Sequence, residues 1–210
     1  MPDPPPNCVR LDTAKMVLLA AGNLAVAFMD DPLFVHVIPV PEDRRRQLPL
    51  LMRAAIELFE HDGVCWAADE SARAVLLAQP PAMRHAPRLR LGMMVAKYGF
   101  RFRSDTRGRL LHIMGEIDQH RPAARHYHLM LLGASPELRG QAVDEELLRA
   151  LLETADAEAV GVHVQTSRTE YVECFRRHGF APAGSARCDR GTGPELMFMD
   201  RPAADRPAER

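Results

Sequence analysis

The chain has 210 residues, 47% of them hydrophobic and 6% aromatic, enough for one sizeable domain with a full core. Its 27 Lys and Arg against 28 Asp and Glu leave a formal net charge of −1, so no global field draws it to nucleic acid or to an anionic membrane. The four cysteines, Cys8, Cys65, Cys174 and Cys188, lack the paired spacing of zinc or redox sites, which points to a reduced, cytoplasmic compartment.

Residues 1–9 and 201–210, rich in Pro, Ala and charge, are expected to be mobile ends around a single domain over 10–200. The apolar run over 16–29 is too short to span a bilayer, contains Asn23 and ends in Asp30 and Asp31. Asp3, three consecutive prolines and Asp12 before it oppose a secretory signal, so it reads as a core helix capped by Asp12 or Thr13. A second helix is predicted over 42–61, with Leu48, Leu51, Met52, Ala55, Ile56 and Phe59 along one side and Arg44, Arg45 and Arg46 on a solvated face. Residues 63–68 and 72–79 read as a β-hairpin turning at 69–71 and ended by Pro80 and Pro81.

Helices are then predicted over 87–102 and 106–120, before Pro122 breaks the chain. His112, Glu116 and His120 recur every four residues on one stripe of the second of these, and His126 and His128 share one face of the strand that follows. Such a cluster has the chemistry for a metal or a general base. The spacing matches no metal signature, so a polar helix face is the default and no metal is expected. Glu116 is the candidate base for an amine acceptor.

The segment over 126–180 carries the chemistry. An apolar strand through Leu129 and Leu132 leads to the turn Arg139, Gly140, Gln141, Ala142, Val143, Asp144, and this opens a helix whose Leu147, Leu148, Leu151 and Leu152 fall at helical spacing. The first N–H groups of a helix lack intrahelical partners and the macrodipole adds positive charge, so such a turn can hold a phosphate. A strand and a helix follow to Phe180, then a short strand and a last one over 195–200, joined by a turn at 191–194. The pattern is a single α/β or α+β domain around a mixed, mainly antiparallel sheet flanked by helices.

Over 126–180 the chain resembles the GNAT superfamily of acyl-coenzyme A dependent N-acetyltransferases. Leu132, Gly133, Ala134 and then Ser135, Pro136, Glu137 are similar to the end of that family's fourth strand. Arg139 matches the first position of its pyrophosphate turn, and Arg177, His178, Gly179, Phe180 resemble the close of its last helix. The resemblance implies acetyl-coenzyme A or another acyl-coenzyme A as co-substrate, wrapped by residues 139–144, with the thioester carbonyl held by backbone N–H groups near Leu132 to Ala134. It implies a small-molecule partner, with neither nucleic acid nor membrane, and permits a homodimer.

Four positions depart from the family pattern. Ala142 and Asp144 stand where the turn's two small residues are expected. If residue 142 needs positive φ, alanine costs roughly 1–2 kcal/mol. A carboxylate at 144, about 5 Å from a phosphate charge at an effective dielectric of about 20, is repelled by roughly 3 kcal/mol, about a hundredfold in affinity. Asp144 also suits the first turn of a helix that holds no anion. Phe175 occupies the place of the tyrosine that protonates the departing thiolate, and Tyr171, one turn earlier on the same helical face, is the candidate substitute. Arg168 replaces a frequent asparagine and either meets a ligand anion or starts a helix in solvent.

The expected activity is acyl transfer, most simply acetyl, to an amine of a small molecule. Two alternatives stand beside it: a repurposed enzyme of a specialised biosynthetic pathway that uses another anionic or carrier-linked substrate, and a non-catalytic binding module.

Overall fold

The computed structural model describes residues 3–83, 97–138 and 142–204. Within them the chain runs β1 (Val9–Arg10), α1 (Ala14–Ala27), α2 (Pro32–Val37), α3 (Pro41–Phe59), β2 (Val64–Ala67), β3 (Ala74–Gln79), α4 (Ser104–Gln119), β4 (His126–Ala134), α5 (Val143–Ala157), β5 (Gly161–Thr166), α6 (Thr169–Arg177), β6 (Ala181–Arg187) and β7 (Glu195–Arg201).

Local chemistry sets most boundaries. Thr13 caps α1, its Oγ1 accepting from Met16 N at 3.2 Å. Asp31 caps α2, accepting from Leu33 N at 2.9 Å, and Pro32 and Pro41 occupy the first positions of α2 and α3, where a missing N–H costs nothing. No helix is predicted over 32–37, because a six-residue helix has too few turns to show periodicity. The predicted helix over 87–102 lies mostly outside the described residues; its end contains a 3₁₀ turn, Gly99–Arg101.

The seven strands form one sheet in the order β1-β2-β3-β4-β5-β7-β6, antiparallel throughout except where β4 runs parallel to β5. This is the mixed, mainly antiparallel sheet expected. One face carries α5 and α6, whose Leu147, Leu148, Leu151 and Phe175 pack on Trp66, Leu76, Tyr127 and Leu129. The other carries α1 and α3, with Leu24, Met52 and Ile56 on Cys65, Val75 and Leu77. A smaller core joins Val37 and Ile38 to Ile113 and Ile117 of α4 and to Leu196 and Phe198 of β7.

Arg44 corrects the reading of a solvated arginine run. It is 6% exposed, and its guanidinium donates to the carbonyls of Met29 and Ile38, both at 2.7 Å. One residue so ties together the loops on either side of α2. Among the described residues no helix is long and apolar enough to cross a membrane.

Candidate active site

β4 and β5 pair only from His126 opposite Gly161 to Leu129 opposite Val164. Beyond that, β4 stays with β3 and β5 stays with β7. The parting coincides with a bulge: Leu77 pairs with Leu131 and Ala78 with Leu129, so Met130 has no opposite residue. An extra residue in one strand bends it and raises its twist, which carries β4 away from β5.

The open edge presents free donors. Ser135 N donates to Arg73 O at 2.6 Å, in register with the pairs that place Gly133 opposite Val75. In an antiparallel ladder alternate residues bond to one neighbour. The N–H groups of Leu131 and Gly133 therefore face β3, and those of Leu132 and Ala134 face the gap. Gly133 is closely packed on the opposite surface: a Cβ there would lie 2.9 Å from Phe28 Cε2 and 3.3 Å from Leu24 Cδ2, so those side chains would have to shift.

Two cavities follow the gap. One, of about 140 Å³, is lined by Phe28, Leu132, Gly133, Ala134, Asp144, Arg168 and Tyr171, among others. The second, of about 70 Å³, reaches Met130, Gln165, Ser167 and Phe175, and shares Phe28, Leu132 and Tyr171 with the first. Of the sequence candidates, Leu132, Gly133, Ala134, Asp144, Arg168, Tyr171 and Phe175 therefore come together.

Glu116 does not join them. It lies on α4 with Oε1 3.8 Å from His112 Nε2, and lines neither cavity at the parting. Its neighbour in the stripe, His120, donates to the Glu116 carbonyl and stacks on Phe198 with ring centroids 4.1 Å apart. The proposed stripe is thus packing and helix hydrogen bonding.

Tyr171 spans both cavities. Burial, then the nearby Asp144 carboxylate, push its hydroxyl pKa upward, so it keeps its proton at neutral pH and can donate it. Phe175 is 3% exposed and packs on Phe180; it walls the cavity without supplying a proton.

Arg168 starts α6 as its N-cap, but its side chain is packed rather than solvated. Its Nε donates to Asp31 Oδ2 at 3.0 Å, while Ser167 Oγ donates to Asp31 Oδ1 at 2.9 Å. Asp31 is 5% exposed. The carboxylate that caps α2 thus neutralises the arginine and straps α2 to the start of α6. No local pattern in the sequence links Asp31 to residues 136 and 137 places away.

Arg139, Gly140 and Gln141 lie outside the described residues. After them, Ala142 sits at φ 55°, ψ 19°, the left-handed conformation that the turn was expected to need. α5 then opens with Val143 followed by Asp144, Glu145 and Glu146. Glu145 is paired with Arg177 at 2.9 Å; Asp144 Oδ1 accepts from Glu145 N at 3.1 Å and borders the larger cavity. The helix start therefore offers an anion its N–H groups together with opposing carboxylates. Glu145, Cys174 and His178 also bring possible metal-ligating atoms within 4.8 Å of one another. Burial pushes the Cys174 thiol up to about 11, Glu145 is engaged by Arg177, and His178 Nε2 lies 3.8 Å from Glu145 Oε2.

The sequence reading paired His126 with His128 but missed the third ring, His163, which stands directly opposite His128 on β5. Their centroids are 5.1 Å apart. Each has one nitrogen fixed by an acceptor: His163 Nδ1 donates to Asp200 Oδ1 at 2.6 Å and His128 Nε2 to Gln165 Oε1 at 2.5 Å. Burial, the largest cause in each, drives both pKa values below the usual histidine range, although Asp200 pulls His163 the other way. Both are neutral in the fold, whereas the unfolded chain protonates them below about pH 6.5. Their contribution is complete above that value and is lost as pH falls. Unfolding free energy should thus decline from pH 7.5 to 5.5, by at most about 1.4 kcal/mol per pH unit for each histidine. Urea titrations across that range, with His163→Gln alongside, check this: the variant should show a shallower slope.

No protein-family model matches the chain. Solved structures do. Histone acetyltransferase HPA2 and related acetyltransferase from Corynebacterium glutamicum superposes with a TM-score of 0.65 at 23% identity, over 95% of this chain and 97% of that one. Polyamine N-acetyltransferase of Drosophila melanogaster, an enzyme that catalyzes formation of N-acetylagmatine, aligns with a TM-score of 0.60 at 14% identity, over 93% and 98%. An agmatine N-acetyltransferase aligns with a TM-score of 0.60 at 15% identity, over 92% and 98%. Together with the bulged fourth strand and its parting from the fifth, these place the chain in the GNAT acetyltransferase fold.

Proposed function

We propose that the protein is an acyltransferase that moves an acyl group, most simply acetyl, from coenzyme A to the amine of a small molecule. The observation that carries this reading is the parting of β4 from β5 at Met130, with the N–H groups of Leu132 and Ala134 on one side and Tyr171 on the other. A thioester carbonyl placed in the gap would be polarised by those N–H groups, which bear on the oxygen where charge develops. The amine nitrogen bonds to the carbonyl carbon, the C–S bond breaks, the Tyr171 hydroxyl gives its proton to the thiolate, the amine's surplus proton leaves to solvent, and Tyr171 regains a proton from solvent. Positioning two reactants in one cleft supplies much of the acceleration, so the reaction does not depend on a dedicated base.

The carboxylates of Asp144, Glu145 and Glu146 favour a second reading, a repurposed enzyme whose substrate lacks the coenzyme pyrophosphate. Calorimetric titration with acetyl-coenzyme A and coenzyme A separates the two. Asp144→Gly, and Asp144→Asn as a control that removes only the charge, should each bind coenzyme up to about a hundredfold more tightly than the parent. Binding by none of the three proteins would overturn the coenzyme reading and leave the second one standing.

A further inference from the structure

A third cavity lies on the α1 and α3 face of the sheet, at the end of β4 away from the turn over 139–144. It encloses about 240 Å³ between Gln79 at the end of β3, His126 and His128 at the start of β4, and Asp118, Arg121 and Arg125 around the end of α4. Two of its buried side chains have open hydrogen-bonding capacity of opposite sense. Gln79 is 4% exposed, and its Nε2 donates to nothing among the described residues. His128 is 1% exposed, and its Nδ1 has no partner there either. Because Nε2 of that ring donates to Gln165, Nδ1 is a bare lone pair. Buried polar atoms are nearly always paired, and two orphans on one cavity mark the partners that a ligand would bring.

The charges around the cavity narrow those partners. Two arginines, Arg121 and Arg125, line the cavity against one acidic residue, Asp118, which pairs with Arg121 Nε at 3.0 Å, so the charge balance favours an anion over a cation. Gln79 Nε2 requires an acceptor and His128 Nδ1 requires a donor. A carboxylate alone satisfies only the first requirement, and an amine alone only the second. We propose that this cavity binds a small amino- or hydroxycarboxylate, its carboxylate toward Gln79 and Arg125 and its N–H or O–H on His128.

One residue joins this site to the cleft. Gln165 accepts from His128 on one side, and its Nε2 donates to the bulged Met130 carbonyl, at 3.4 Å, on the other. The bound group is therefore either the far end of the acceptor or a separate effector. The first assignment rests on the acyl-transfer reading, and the binding itself does not.

Serine and lactate are the probes, with acetate lacking the donor and ethanolamine lacking the carboxylate. Calorimetry on the full chain should show serine or lactate binding at least about tenfold more tightly than either control. Gln79→Leu, which keeps the shape and removes the donor, should lose about tenfold while retaining its unfolding midpoint. Independently of any variant, the ¹⁵N resonance of His128 Nδ1 should shift when the probe is added. Equal affinity for lactate and acetate, an unmoved His128 resonance, or no binding up to the solubility limit would overturn the proposal. Acetylation of serine in the presence of acetyl-coenzyme A assigns the site to the acceptor, and binding without turnover assigns it to an effector. Coenzyme titration of the same samples keeps the readings apart: coenzyme binding without carboxylate binding overturns only this site.

Discussion

Tyr171→Phe is expected to lower the single-turnover rate of acyl transfer from acetyl-coenzyme A by roughly 10²-fold or more, with coenzyme affinity left within about threefold of the parent. The reason lies in what lines the cleft. Phe175 stands where the family resemblance places a proton donor and has no proton to give, whereas Tyr171 borders both cavities. Burial and Asp144 hold its hydroxyl protonated. Removing one oxygen leaves the ring's packing against Phe175 in place, their centroids being 6.2 Å apart, so a loss of rate without a loss of binding isolates proton donation. An unchanged rate would exclude Tyr171 as the acid and leave the thiolate to depart unassisted into solvent. The assay needs an acceptor, and a panel of small amines scored by free thiol release supplies one.

Asp31→Ala should destabilise the fold by about 3 kcal/mol, a fall in Tm of about 10 °C for a chain of this length. Two losses add. The cap of α2 disappears, typically worth about 1 kcal/mol. Arg168, whose side chain is only 18% exposed, is left without the carboxylate at 3.0 Å, and stranding one member of a buried pair costs more than the pair itself contributes. Asp31→Asn retains a capping oxygen and should lose about half as much. Arg168→Met together with Asp31→Asn should recover part of the loss, because no charge is then left unmatched. If the single and double variants unfold at the same temperature as the parent, the strap between α2 and α6 has no energetic weight, and its role in holding the cleft's outer wall is refuted.

Both residues show where reading along the chain stops. Tyr171 was accessible because residues four apart on a helix share a face, a rule that needs no tertiary knowledge. Asp31 was visible only as the end of an apolar run; its partners lie 136 and 137 residues away, and pairing at that separation leaves no periodic trace. The same contrast holds for Arg44. Read beside Arg45 and Arg46 it belongs to a solvated stripe, yet three carbonyls of the α2 loops draw it inside.

The histidines divide in the same way. His126 and His128 lie two apart on a strand, so their common face follows from its period. His163 joins them only through the parallel register of β4 on β5. Glu116 lies away from the two cavities at the parting for the converse reason, since four-residue spacing aligns it with His112 and His120 but does not say what that stripe faces.

What the amino-acid sequence determined by itself was the class of fold and the strand and helix on either side of residues 139–142; the departures at Ala142, Asp144 and Phe175 are departures from the family it resembles. The elements follow from local rules, apolar period and capping chemistry, and the chain enters the helix through Ala142 at positive φ. Tertiary structure alone decided where the cleft opens, because a strand can leave its neighbour only when a third strand holds it. Here β3 keeps β4, β7 keeps β5, and the extra residue at Met130 turns the difference into a gap. It also decided which charges remain available to a ligand, since a side chain's field is set by whatever packs against it, and Arg168, spoken for by Asp31, is the case in which sequence and structure part.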